Sequence, residues 1–154
     1  MPRSLVLAAL LLTAQASLTS AQMLQGQFVV IDGQTMRIGG SEVRLADIAV
    51  PELGEHCIWN GNTLDCGVLA RAGLMDITAG ATVECKPAGG DTHRCFAGDY
   101  DLSFGMIHAG WAIALPGAPA HYQARMQQAR EKKRALWSAT DLDGNPEYAL
   151  TLKR

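Results

Sequence analysis

The chain is predicted to be mainly β with helices, an α+β fold in which three α-helices pack on a small five-stranded barrel. Three observations carry this reading. β-rich runs separated by glycine turns fill residues 26–48, a helical pattern at 68–77 is inserted before a second hairpin signal at 82–97, and two further helical patterns follow Asp101. Strands, an inserted helix, a hairpin and two terminal helices, in that order, suit one sheet closing around a single core.

Taking the elements in order, Phe28, Val29, Val30 and Ile31 form a β-rich run that stops at Asp32-Gly33. Residues 35–38 make a second strand, Gly39-Gly40-Ser41 a turn, and residues 42–48 a third strand. In that strand Val43, Leu45 and Asp47 share one face, and Pro51 closes the segment because it cannot donate to a ladder. Residues 54–64 read as a loop rich in turn formers. Val68, Leu69, Ala72, Leu74, Met75 and Ile77 recur at helical intervals, and the helix ends before Gly80. Residues 82–85 and 93–97 are strands joined by the turn at 88–91. Asp101 is placed to cap a helix that runs to Gly110, Pro116 and Pro119 break the chain, and residues 121–137 carry the longest helical pattern. Its basic cluster at 130–134 reads as a solvated face that complements the helix dipole.

Residues 1–21 read as a signal peptide. One positive charge at Arg3 precedes an apolar run from Leu5 to Leu12, too short to span a bilayer. Cleavage fits after Ala16 or after Ala21, and the second is the working boundary. The domain is then 22–140, with 141–154 a C-terminal tail, and no transmembrane anchor remains after processing. The expected location is periplasmic or secreted. Losing Arg3 leaves 12 basic against 15 acidic residues, a charge near −3, which is unlike the basic surface that polyanion binding usually requires.

Cys57, Cys66, Cys85 and Cys95 are an even set in a chain bound for an oxidising compartment. Their spacings are longer than the short pairs of structural zinc sites. Three pairings are possible. The sequential one, Cys57–Cys66 and Cys85–Cys95, is preferred because each bridge closes a short segment.

Asp32-Gly33-Gln34-Thr35 and Arg44-Leu45-Ala46-Asp47-Ile48-Ala49-Val50-Pro51-Glu52 resemble the DGDT and RLxGIDxPE blocks of the staphylococcal-nuclease-like (thermonuclease) family. Cys66-Gly67, Asp101-Leu102, Gly110-Trp111-Ala112 and the run from Ala129 to Trp137 match later blocks. The resemblance implies an OB-fold barrel with three helices. In active members calcium lies between two aspartates, a glutamate acts with a water, and two arginines hold the phosphate. Carried over, the metal positions are Gln34 and Ala49, Glu52 is the general base, Arg44 is the first arginine and Arg94 the candidate second. Calcium wants six to eight oxygens and much carboxylate charge. Gln34 has one neutral carbonyl and Ala49 has no donor, so the resemblance implies a degenerate calcium site and no expected cofactor. Asp32 and Asp47 are weak candidate ligands, Asp47 standing where the family pattern has Gly.

His56, His93, His108 and His121 are scattered and form no site, and no nucleophile elbow or phosphate loop is present. Two functions follow. One is an extracytoplasmic, metal-dependent nuclease with calcium, Glu52 as base and Arg44 on the phosphate, acting on nucleic acid. The other, favoured, is a non-catalytic domain, a pseudoenzyme, that binds a glycan or an envelope protein. A leader followed by a nuclease-like domain of this size is also similar to the periplasmic proteins of exopolysaccharide (succinoglycan) biosynthesis in rhizobia, which implies a supporting role in exopolysaccharide production. Trp59, near a barrel groove, would permit glycan binding.

Overall fold

A computed structural model describes residues 22–152 and has a mixed α+β architecture with three α-helices and one large sheet. The expected signal peptide lies outside the described residues. β1 (Leu24–Gly26) and β2 (Phe28–Val30) are separated by Gln27 alone. β2 pairs with β3 (Thr35–Ile38), which pairs with β4 (Ser41–Leu45), both antiparallel. The turn before β3 is held by Asp32, whose Oδ1 accepts the N–H groups of Gln34 and Thr35, both at 2.7 Å. Such Asx turns are a standard use of aspartate. Gly39 and Gly40, with φ of 55° and 86°, turn the chain between β3 and β4, as a tight hairpin of matching twist requires.

The third strand stops earlier than the alternation predicted. It ends at Leu45, and Asp47 adopts φ 67°, so Asp47 does not share a strand face with Val43 and Leu45. Aspartate tolerates the left-handed region better than most residues. That turn redirects the chain into β5 (Ile48–Ala49), which pairs with β11 (Ile113–Ala114) away from the main sheet.

The expected loop at 54–64 is mostly a hairpin, β6 (His56–Trp59) with β7 (Asn62–Asp65). Its two-residue turn is Asn60-Gly61, both residues at positive φ, the familiar hairpin dipeptide. Asp65 ends β7 and caps α1 (Cys66–Thr78), its Oδ1 accepting the Val68 N–H at 3.0 Å. The disulfide Cys57–Cys66 ties hairpin to helix.

β8 (Val83–Gly89) and β9 (Thr92–Ala97) form the second hairpin, with Cys85 opposite Cys95 and bonded to it. Both expected pairings are present, and each closes a loop of a size that contributes about 2.7 kcal/mol by loss of unfolded-chain entropy. β10 (Tyr100–Asp101) folds back to pair antiparallel with the end of β9, and Asp101 caps α2 (Leu102–Ala109) through Phe104 N–H at 3.1 Å. Gly110 closes α2 at φ 86° in a spot where a Cβ would lie 2.5 Å from the Arg134 carbonyl oxygen.

α3 spans Ala120–Glu131, shorter than the pattern to Trp137 predicted. Lys133 and Ala135 have positive φ, and a 3₁₀ turn, Ala135–Ser138, then seats Leu136 and Trp137 in the interior. The basic cluster therefore straddles the helix end. The sheet path runs β1, β8, β9, β4, β3, β2, with β4 and β9 parallel. Its two outer strands are consecutive lengths of chain. Met36, Ile38, Val43, Leu45, Leu74, Leu102 and Met106 meet in the principal core.

A second apolar cluster joins Cys57, Cys66, Ile113, Trp137, Tyr148 and Leu152. Residues after 140, expected as a tail, thus pack onto the body as far as Leu152. Thr140 bridges to Ile58, Arg130 pairs with Glu147 at 2.5 Å, and Tyr148 donates to Glu55.

Candidate functional site

The Asp32 turn and the segment after β5 face each other across a cleft of about 960 Å³, lined by Asp32, Gln34, Arg44, Ala49, Glu52 and Glu55 among others. Five of the residues singled out from the sequence therefore meet there. Arg94 and Asp47 are not among the lining residues.

Gln34 is the buried centre of the site, at 6% exposure. Asp32 fixes its backbone, and its amide group is fully engaged. Nε2 donates to the carbonyls of Leu45 at 2.9 Å and Ile48 at 2.8 Å, while Oε1 accepts from Arg44 Nη2 at 3.3 Å. The amide supplies two donors to carbonyls on either side of the Asp47 turn, so it ties β4 to β5 from below. Arg44 itself is exposed, opposite Thr35 in the β3–β4 register. Its partner is Gln34, and Glu52 does not pair with it among the described residues.

Glu52 is exposed in the loop after Pro51. Its backbone is held at three points. Its N–H donates to Glu55 Oε2 at 3.1 Å, its carbonyl accepts from Glu55 N–H at 3.0 Å, and the same carbonyl lies so close to Gly67 that a Cβ there would sit 2.0 Å from it. Glu55 is anchored in turn by the Tyr148 hydroxyl, which donates to Oε1 at 2.5 Å. Burial, then that hydrogen bond and the charges of Glu55 and Asp65, push the Tyr148 phenol far above its ordinary pKa. Glu55 and Tyr148 were not foreseen from the sequence. Their separation of 93 residues carries no local signal, although Glu55 three residues after Glu52 in a glycine-containing loop marks a turn.

Arg94 is turned elsewhere. Its Nη2 donates to Asp47 Oδ2 at 2.5 Å, the partner offered by the left-handed turn. Partial burial works against the Arg94 charge, but the Asp47 hydrogen bond with Tyr122, Asp47 and Asp101 nearby leaves its pKa above the ordinary value. An arginine so neutralised is poorly disposed to hold a phosphate.

The donor set does not fit calcium, the ion that the sequence resemblance implies. Gln34 presents its NH₂ group to the carbonyls around it, its one carbonyl oxygen already accepts from Arg44, and Ala49 carries no oxygen in its side chain. Among the described residues no three carboxylate, imidazole or thiolate side chains are grouped to hold an ion. Asp32, Glu52 and Glu55 do set three carboxylates against the single Arg44 guanidinium in the cleft. A dense polyanion would meet repulsion there, whereas carboxylates and an arginine can accept from and donate to hydroxyl groups.

Trp59 is half buried, donates its indole N–H to Ser138 Oγ at 2.8 Å, and meets Trp111 edge-on at 5.6 Å. It is not a lining residue of the cleft. His56 bonds the Gly54 carbonyl and His93 belongs to β9, whereas His108 and His121 both flank Phe104.

Two disulfides fit an oxidising compartment, and among the described residues no helix is long and apolar enough to cross a membrane. No family model matches the chain. A curated relative, the succinoglycan biosynthesis protein ExoI of Rhizobium meliloti (strain 1021), is 31% identical over 153 residues, covering 94% of this chain and 76% of its own length. At that identity and coverage, the chain belongs to the family of that protein.

Proposed function

We propose that this protein is an exported, non-catalytic member of the exopolysaccharide machinery, a nuclease-like OB-fold domain that has exchanged its cation for the Gln34 amide and uses the cleft to bind a glycan or an envelope protein. The observation that carries this reading is the double donation from Gln34 Nε2 to the Leu45 and Ile48 carbonyls. Carbonyl oxygens that would face a metal-bearing cleft are satisfied by a side chain instead. The name of the relative supports the setting, succinoglycan biosynthesis.

The barrel part of the proposal rests on strand continuity. β1 pairs with β8 and β2 with β3, and one residue links β1 to β2, so a single stretch of chain joins both ends of the sheet path. Export rests on the leader pattern at residues 1–21 and on the disulfides.

A nuclease is the second reading, favoured by one fact: Arg44 and Glu52 line the same cleft. The two are separated by incubating the purified protein with single-stranded DNA and calcium, beside its Glu52→Gln variant and a Gln34→Asp/Ala49→Asp double variant. No cleavage by the unaltered protein is expected. Calcium-dependent cleavage by it, lost in Glu52→Gln, overturns the non-catalytic reading.

A further inference from the structure

Apart from the cleft, α2 and α3 present a distinct group of side chains. Phe104 lies at its middle. The guanidinium of Arg125 sits 4.8 Å from the Phe104 ring centroid, the His121 ring 5.8 Å and the His108 ring 6.5 Å from it. Arg134, just beyond α3, donates from Nη1 to the His108 carbonyl at 2.7 Å and lies 3.4 Å from His108 Nδ1. Lys132, at the end of α3, is exposed.

We propose that this face, Phe104 with His108, His121, Arg125, Lys132 and Arg134, is a docking surface for an acidic polysaccharide, a glycan with carboxylates spaced along its length. The proposal rests on the exopolysaccharide reading above and names the chemistry of the partner. Charge complementarity is the first argument. Among the described residues the ion pairs are Arg37–Glu42, Arg94–Asp47 and Arg130–Glu147, so Arg125, Lys132 and Arg134 are left without a carboxylate partner. Burial, then the charges of Arg134, Arg125 and Lys132, hold the His108 imidazole below its ordinary value, and no anion opposes them. In a chain of net charge −2, three unpaired cations on one face form a local field that an anion would neutralise.

The second argument is charge density. Nucleic acid carries a charge about every 1.7 Å of duplex, and its approach brings many phosphates against an otherwise acidic surface. A glycan with at most one carboxylate per sugar is less densely charged and matches a patch of three cations without that cost. Partly exposed rings such as His121 offer flat faces to sugar C–H groups.

The test is binding of a fluorescently labelled polygalacturonate oligosaccharide to the purified protein at about 20 mM salt, where exposed charges are weakly screened. Neutral dextran of similar length and single-stranded DNA are the comparison ligands. An Arg125→Gln/Lys132→Gln double variant leaves the Arg134 contacts in place, and its thermal melt reports whether it folds. Polygalacturonate is expected to bind, dextran not to bind, and the double variant to bind about tenfold more weakly, the sum of two exposed charge contacts. An Arg37→Gln variant, which removes an exposed guanidinium from the β3–β4 hairpin, is expected to bind as the unaltered protein does, and an Arg44→Gln variant reports on the cleft. Absence of polygalacturonate binding, equal binding of dextran, tighter binding of DNA, or an undiminished double variant overturns the proposal. Loss in Arg44→Gln alone moves the glycan to the cleft, which removes this surface while the exopolysaccharide reading stands. DNA cleavage would remove that reading without altering the binding result.

Discussion

Replacing Gln34 with alanine is the perturbation that bears most directly on how the cleft is built. The residue is 6% exposed and its Nε2 serves the Leu45 and Ile48 carbonyls. Truncation removes both donors at once and leaves Arg44 without its Oε1 partner. A buried acceptor left unpaired costs about 1–3 kcal/mol. Two such groups set an upper range near 6 kcal/mol, and water entering from the adjoining cleft recovers a large part, because ordered water is nearly as good a partner. A net loss of about 2–3 kcal/mol is expected. For a domain of this size that corresponds to a fall in Tm of roughly 6–12 °C. Urea denaturation followed by circular dichroism measures it, and Gln34→Glu supplies the control of shape. Glutamate keeps the length but, when ionised, turns an acceptor toward two carbonyl oxygens, so it is expected to destabilise at least as much as alanine at neutral pH. A loss below about 0.5 kcal/mol for Gln34→Ala, or a Gln34→Glu variant as stable as the unaltered protein, would refute the role assigned to the amide.

Gly67→Ala places a methyl group 2.0 Å from the Glu52 carbonyl oxygen, so the Glu52–Glu55 loop must move; a stability loss of about 2 kcal/mol or more is expected in the same denaturation assay. Of the three tyrosines, Tyr122 and Tyr148 have pKa values raised well above 10.0, each chiefly by burial and then by a hydrogen bond to a carboxylate. Their folded forms hold the proton more tightly than the unfolded chain does. The associated stability is fully present below pH 10 and is lost as pH rises beyond it. Absorbance at 295 nm is expected to show the ionisation of two tyrosines withheld near pH 11 and released on adding denaturant; full ionisation in the folded protein would contradict the assignment. Tyr148→Phe, which removes the hydroxyl from Glu55, should lower stability by about 1 kcal/mol.

Much of the fold was written locally. Asp101 as a helix cap, Gly110 as its terminator and Gly39-Gly40 as a hairpin turn each depend on neighbouring residues alone, and the structure has them so. Asn60-Gly61 carried an equally strong signal, yet the surrounding glycines and cysteines disguised a hairpin as a loop. The end of α3 was harder to see. Leu136 and Trp137 keep helical spacing because the positive φ at Lys133 and Ala135 and the 3₁₀ turn return them to the interior.

The cleft was legible as a set of positions and opaque as a set of bonds. Gln34, Arg44, Ala49 and Glu52 could be placed at one site only by the resemblance of their segments to the nuclease-like blocks. That Gln34 would reach the Ile48 carbonyl depends on the turn at Asp47, whose φ of 67° no pattern of hydrophobic residues encodes. The same turn brings Asp47 to Arg94. A single residue thus accounts for both the early end of β4 and the diverted arginine. Residues 141–152 were unreadable for a different reason. Their buried apolar side chains, Tyr148, Ala149 and Leu152, show no period, and only packing against Cys57, Cys66 and Trp137 gives them a place.

The central claim is that the Gln34 amide stands where a cation would, and calcium-dependent stabilisation tests it most directly. A ligand that binds the folded state raises Tm in proportion to the logarithm of its concentration over Kd. Thermal melts of the purified protein in 10 mM calcium and in chelator are predicted to coincide, while the Gln34→Asp/Ala49→Asp variant gains stability with calcium. A calcium-dependent rise of several degrees in the unaltered protein, abolished by Glu52→Gln or Asp32→Asn, would contradict the account.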